Sequence, residues 1–201
     1  MLCLKVLASC TRLTRLVRDL TDDDVRAPSA LPGWTRGHVL AHIAGITDAM
    51  ARQAENAIAG TLTEVYDGGR PARDAAIEAQ AGRDADEHRA AITAAVARVA
   101  AAWASTEDWT RPTTYRSSDV TATVYCLWRE IEIHTADLAL AAPDWPAEFN
   151  AHTQEFLRVR VPEDVVLLGD PTDVTAWLAG RAYAGQVTAK IGDLPELGPW
   201  P

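Results

Sequence analysis

The segment Trp128-Arg129-Glu130-Ile131-Glu132-Ile133-His134-Thr135-Ala136-Asp137-Leu138 constrains the fold of this chain more than any other. Leu127, Ile131 and Leu138 recur at helical spacing and set one side of a helix against a core. Glu130 and His134 are four residues apart, so both project from one face, one turn apart. A carboxylate on a helix that packs into a core must be paired, because an isolated buried charge is expensive. Two arrangements satisfy that demand. One is a hydrogen-bonded Glu–His pair, partly exposed. The other is a divalent metal held by both side chains, as on the inward-facing helices of metal-binding bundles. The segment Trp34-Thr35-Arg36-Gly37-His38-Val39-Leu40-Ala41-His42 offers a third ligand, since His38 and His42 are also one turn apart. Two nitrogens and one oxygen leave a fourth position open, the arrangement of a catalytic zinc site.

The surrounding periodicity predicts four long helices. The first spans 2–20, with Val6, Cys10, Leu13, Val17 and Leu20 inward. Its 3/4 spacing runs straight through the arginines, which marks an amphipathic helix and not a signal segment. Asp22-Asp23-Asp24 leads into a loop over 27–34, punctuated by Pro28, Pro32 and Gly33. Thr35 is placed to cap a second helix that ends near Ala59, before Gly60. A polar connector with Gly68, Gly69 and Pro71 precedes an alanine-rich third helix over 72–104, with Ile92, Val96, Val99 and Trp103 inward. The fourth spans 118–140. Four such helices predict a bundle. After Ala142-Pro143-Asp144-Trp145-Pro146 the pattern changes to a short helix over 147–157, a strand over 165–169, a helix over 171–181 and a strand over 186–191. The expected domains are therefore 1–142 and 143–201.

Charge and cysteine content narrow the function. Acidic residues outnumber basic ones 28 to 19, for a net charge of -9. With no basic cluster to offset this, neither nucleic acid nor an anionic membrane surface is an expected partner. No stretch reaches the roughly 20 apolar residues of a membrane span. Cys3, Cys10 and Cys126 are odd in number and follow no motif spacing, which suits a reducing cytosol and a cytoplasmic protein.

Leu31-Pro32-Gly33-Trp34-Thr35-Arg36-Gly37-His38-Val39-Leu40-Ala41-His42, together with Arg129-Glu130-Ile131-Glu132-Ile133-His134 and Asp137-Leu138, resembles the mycothiol-dependent maleylpyruvate isomerase family of the DinB-like metal-binding superfamily. Gly169-Asp170-Pro171, Ala176-Trp177-Leu178-Ala179-Gly180-Arg181 and Leu194-Pro195-Glu196-Leu197 look like that family's small C-terminal domain. The resemblance implies a mainly α fold: a DinB-like four-helix bundle followed by a small α/β C-terminal domain. That domain looks shortened between Asp144 and Asp170. It implies a metal, usually zinc with nickel as the alternative, on His42, Glu130 and His134. It implies mycothiol as the thiol cofactor and an unsaturated oxo-acid as the substrate, and it puts an assisting role on Arg181. Such proteins are typical of actinobacteria, and a homodimer is left open. The same machinery serves two other outcomes: a mycothiol S-transferase acting on an electrophile, or a bundle that keeps the metal without the chemistry.

Other polar residues have plainer readings. His38 is expected beside the ligands or at the surface, and Glu132 solvated or salt-bridged. His88 and His152 are expected on exposed helix faces. Cys126, four before Glu130, looks toward the site or fills the core as a small apolar residue. Trp34 is expected to close one end of the bundle. Arg181 either pairs with a substrate carboxylate or caps its own helix.

Overall fold

Short polar side chains decide where the helices begin. Thr35 accepts from the His38 amide, while the His38 ring turns back to the Thr35 amide at 3.1 Å. This is a capping box in which an imidazole replaces the usual carboxylate. Asp119 caps the helix that carries Glu130 and His134. In the computed structural model, which describes residues 2–200, the helices are α1 (Leu2–Val17), α2 (Asp22–Arg26), α3 (Arg36–Ile58), α4 (Gly69–Gln80), α5 (Ala85–Ala104) and α6 (Val120–Asp137). These belong to one compact unit, Met1–Ala141; a second comprises Ala142–Pro201.

In the first unit α3 packs on α5 and α6, and α1 packs on those same two helices. Each long helix thus has two neighbours, and the ring closes into a four-helix bundle. The inward stripe of α1 is Val6, Cys10, Leu13 and Val17, all 1% exposed or less. Ile92, Val99 and Trp103 of α5 and Val124, Leu127 and Ile131 of α6 are all buried, whereas Val96 is only half-buried.

One expected element differs and one short helix is additional. The single third helix over 72–104 is in fact α4 and α5, separated by a turn at Ala81–Arg83. Asp84 takes an extended backbone and caps a new helix, with Glu87 returning the hydrogen bond. The acidic run after α1, to which the sequence pattern assigns no element, is the short helix α2, started by a capping box between Thr21 and Asp24. The first of these start signals is masked in the sequence by alanine propensity, the second by charge density.

The second unit contains α7 (Ala147–Leu157) and α8 (Pro171–Leu178), which pack together, and β1 (Leu167–Leu168) and β2 (Thr188–Ala189). The strands pair antiparallel, Leu167 opposite Ala189 and Leu168 opposite Thr188, and are shorter than the sequence suggests. Asp170 caps α8 and Pro171 occupies its first turn, where its missing N–H costs nothing. The fold is mainly α. Among the described residues no helix is long and apolar enough to cross a membrane.

Candidate metal centre

Helix α3 carries His42, and α6 carries Glu130 and His134. Their register is fixed at one end of the bundle. Arg36, in the first turn of α3, donates from Nε to the Leu138 carbonyl at 2.7 Å, and the Ala30 amide donates to the Asp137 carbonyl at 2.8 Å. These bonds also satisfy carbonyls that the end of α6 leaves without helical partners. With the two helices so tied, one ligand atom from each of His42, Glu130 and His134 falls within 4.8 Å of the others. Glu130 Oε2 lies 2.9 Å from His42 Nε2 and 3.2 Å from His134 Nε2, and the imidazoles meet edge to face at 4.4 Å between centroids. His42 is 3% exposed.

The hydrogen bonds define the protonation pattern. His134 Nδ1 lies 2.9 Å from Asp137 Oδ2. An acceptor-only carboxylate there holds the proton on Nδ1 and leaves Nε2 facing Glu130, the carboxylate–histidine arrangement that orients metal ligands. Burial pulls the His134 pKa down, but Asp137 and Glu130 outweigh it and the net direction is up. For His42 burial prevails over Glu130, and its pKa is lowered. Burial alone would raise Glu130; the two imidazoles hold it well below the usual carboxylate range. Glu130 is thus an anion between two nitrogens, a donor set of borderline softness suited to zinc and its neighbours.

Arg73 of α4 approaches the other side of His42, its Nη2 at 3.2 Å from Nδ1. It also reaches the Tyr66 hydroxyl, whose pKa burial pushes up to about 12. His42, Tyr66, Arg73, Gly45 and Ile77 line a cavity of about 100 Å³ beside the candidate ligands.

The remaining expectations resolve individually. His38 is not among the three converging residues. Its Nδ1 serves the cap at Thr35 and its Nε2 faces Glu78 at 3.4 Å. Trp34 stacks on His38 at 5.9 Å and meets the His42 ring edge at 6.0 Å. Cys126 is buried, bonded to Tyr115, and protonated, its pKa pushed up to about 12 by burial. Glu132 is salt-bridged as expected but buried, not solvated: Ser9 donates to it at 2.5 Å and Arg12 pairs with it. His88 is the plain correction, at 1% exposed where an exposed face was expected. It lies one turn before Ile92 and extends that buried stripe. His152 is half-buried. Arg181 follows α8, and its guanidinium donates to the Ala179 carbonyl at 2.9 Å. Sequence pattern assigns no role to Asp137, Arg73 or Arg36. Asp137 does carry a signal, one turn after His134; Arg73 carries none, since a connector without periodicity separates it from His42.

A profile described as the mycothiol maleylpyruvate isomerase N-terminal domain matches residues 6–139. The chain belongs to this family. Two solved structures share the fold over nearly the whole length. One is a mycothiol-dependent maleylpyruvate isomerase, with a TM-score of 0.86 and 25% identity, covering 98% of this chain and 95% of that chain. The other is a histidine-to-alanine mutant of such an isomerase, with a TM-score of 0.85, 24% identity and the same coverage. No curated protein matches the chain.

Proposed function

We propose that this protein is a metal-dependent enzyme that uses mycothiol to isomerise an unsaturated oxo-acid of the maleylpyruvate type. The convergence of His42, Glu130 and His134 in a member of this family carries the reading. His42, Glu130 and His134 would hold a divalent cation, zinc on donor chemistry and nickel as the alternative, which would supply Lewis acidity to lower a thiol pKa or polarise a carbonyl. The overall chemistry forms a C–S bond, lets the former double bond turn as a single bond, and breaks the C–S bond again.

The protein's own residues supply orientation and charge. Asp137 fixes the His134 tautomer, and the Arg36 bond to α6 fixes the approach of His42. Were His42 Nε2 to serve as a ligand, its proton would reside on Nδ1 and oppose the Arg73 Nη2 N–H. Two donors do not bond, so Nη2 would turn to a substrate carboxylate while Asp74 holds Nη1 at 2.6 Å. For Arg181 the family resemblance supports pairing with a substrate carboxylate. The protein's cysteines are not the nucleophile. Cys10 and Cys126 are buried with pKa values pushed up to about 12, and Cys3 is also raised by burial. The thiolate must come from a diffusible molecule.

Metal content measured on the wild type and on the combined His42→Ala, Glu130→Ala, His134→Ala variant tests the reading. A near-stoichiometric transition metal lost in the variant, with mycothiol-dependent turnover of maleylpyruvate in the wild type only, is expected. Absence of metal from both after reconstitution refutes the reading. Loss of turnover in Arg181→Ala with metal retained is expected; full activity refutes its carboxylate role.

A further inference from the structure

Gly45 sits in the interior of α3, three residues after His42 and on the same face. Glycine inside a helix lowers its stability relative to alanine, so it usually has a packing reason. Among the described residues none exists: a Cβ built on Gly45 meets nothing within 4 Å. Gly45 instead borders open space on two sides. It lines the cavity of about 100 Å³ beside the ligand set and a second cavity of about 200 Å³. Tyr66, Arg73 and Ala76 line both as well, so the two adjoin along one wall.

The inner cavity is equivalent to about three water molecules. It admits a sulfur and a few further atoms, not a whole thiol cofactor built on a disaccharide-like polyol. The outer cavity has the chemistry for the remainder. Asp48 and Asp67 offer carboxylate acceptors to hydroxyls, Arg52 offers donors, and the Tyr66 ring offers a flat apolar face. Arg52 holds Asp67 through Nη1 at 2.6 Å and Nη2 at 2.9 Å, yet its buried Nε finds no partner among the described residues. Asp48 is held by Arg98 at 2.7 Å. Both carboxylates are therefore fixed in place while keeping free lone pairs.

We infer that the two cavities are one site joined over Gly45, with the polyol of the thiol cofactor in the outer cavity and its sulfur in the inner one. This rests on the mycothiol reading above but is tested without metal or sulfur. The probe is the cofactor's sugar–inositol portion lacking the cysteine, titrated calorimetrically into the full-length protein. Saturable binding to the wild type is expected. Gly45→Leu, which fills the junction, and Arg52→Met are each expected to weaken it on the order of tenfold, the scale of one lost charge-assisted contact. Metal content is measured on the same samples, and helix content confirms that each variant folds. Equal affinity in both variants, or no binding to the wild type at millimolar probe, overturns the inference and leaves the metal and thiol chemistry standing. As a second readout, the ratio of the dissociation constant of mycothiol to that of a small thiol falls in the wild type relative to both variants. An unchanged ratio overturns the inference too.

Discussion

Two glycines eight residues apart on α3 should respond to alanine with opposite sign. At Gly45 an added methyl meets nothing within 4 Å, so only the backbone effect remains. Alanine restricts the unfolded chain and favours the helix, which should stabilise the protein by about 0.5–1 kcal/mol. At Gly37 the same gain meets the α4–α5 turn. A Cβ there falls inside the 3.0 Å limit of real Cβ contacts with the Ala81 carbonyl oxygen, and lies 3.1 Å from Val25 Cγ1. The carbonyl is backbone and cannot rotate away, so the turn or the helix must shift, at about 1–3 kcal/mol. That carbonyl also accepts a hydrogen bond from His88, whose other ring nitrogen is buried with no partner among the described residues, so displacing it strains a second buried group. The net expectation for Gly37→Ala is a loss on the order of 1–2 kcal/mol. Urea unfolding followed by helix circular dichroism gives both numbers from midpoints at equal slope. A Gly37→Ala protein as stable as the wild type would refute the close-packing account of this turn. A destabilised Gly45→Ala would show that something does fill the space over Gly45.

Two further predictions address the site and the core. Asp137→Asn removes the anion that orients His134 and should weaken metal binding about 10- to 100-fold, measured by competition with a chromophoric chelator. The effect should vanish in a His134→Ala background, and persistence there would mean that Asp137 acts by another route. His88 is buried and its pKa is lowered from 6.5, chiefly by burial. The unfolded chain therefore takes up a proton below 6.5 that the native state refuses. Its contribution is full above pH 6.5 and is lost as the pH falls toward the folded pKa, with a slope approaching about 1.36 kcal/mol per unit. Melting temperatures of the wild type and His88→Leu between pH 8 and 5 should diverge in that direction; parallel curves would sink the assignment.

What is legible in the sequence follows from what a one-dimensional pattern can encode. Helical spacing assigns residues to faces, so the inward stripes of α1 and α6 and the pairing of Glu130 with His134 on one face are plain from the spacing of residue types. The pattern also groups His42 with His38, but it does not separate them. Their spacing is the same as that of the ligand pair, and only the cap shows that the His38 ring is already engaged at Thr35. Polarity is a poor sign of exposure at His88 and Glu132, both of which are buried. One side chain continues the Ile92 stripe, and the other finds Ser9 and Arg12 on α1, 123 and 120 residues away. The break between α4 and α5 is written in Asp84 and Glu87, yet alanine propensity on either side hides it. Least legible is the relative position of helices. No periodicity states that Arg36 reaches the Leu138 carbonyl that caps α6, although that bond and the Ala30–Asp137 bond hold His42 level with Glu130 and His134. A candidate ligand set spread over two helices thus depends on a residue outside that set. Its arginine character matters: a lysine offers a single point charge where the guanidinium spans Leu138, Ala139 and Asp24 carbonyls together.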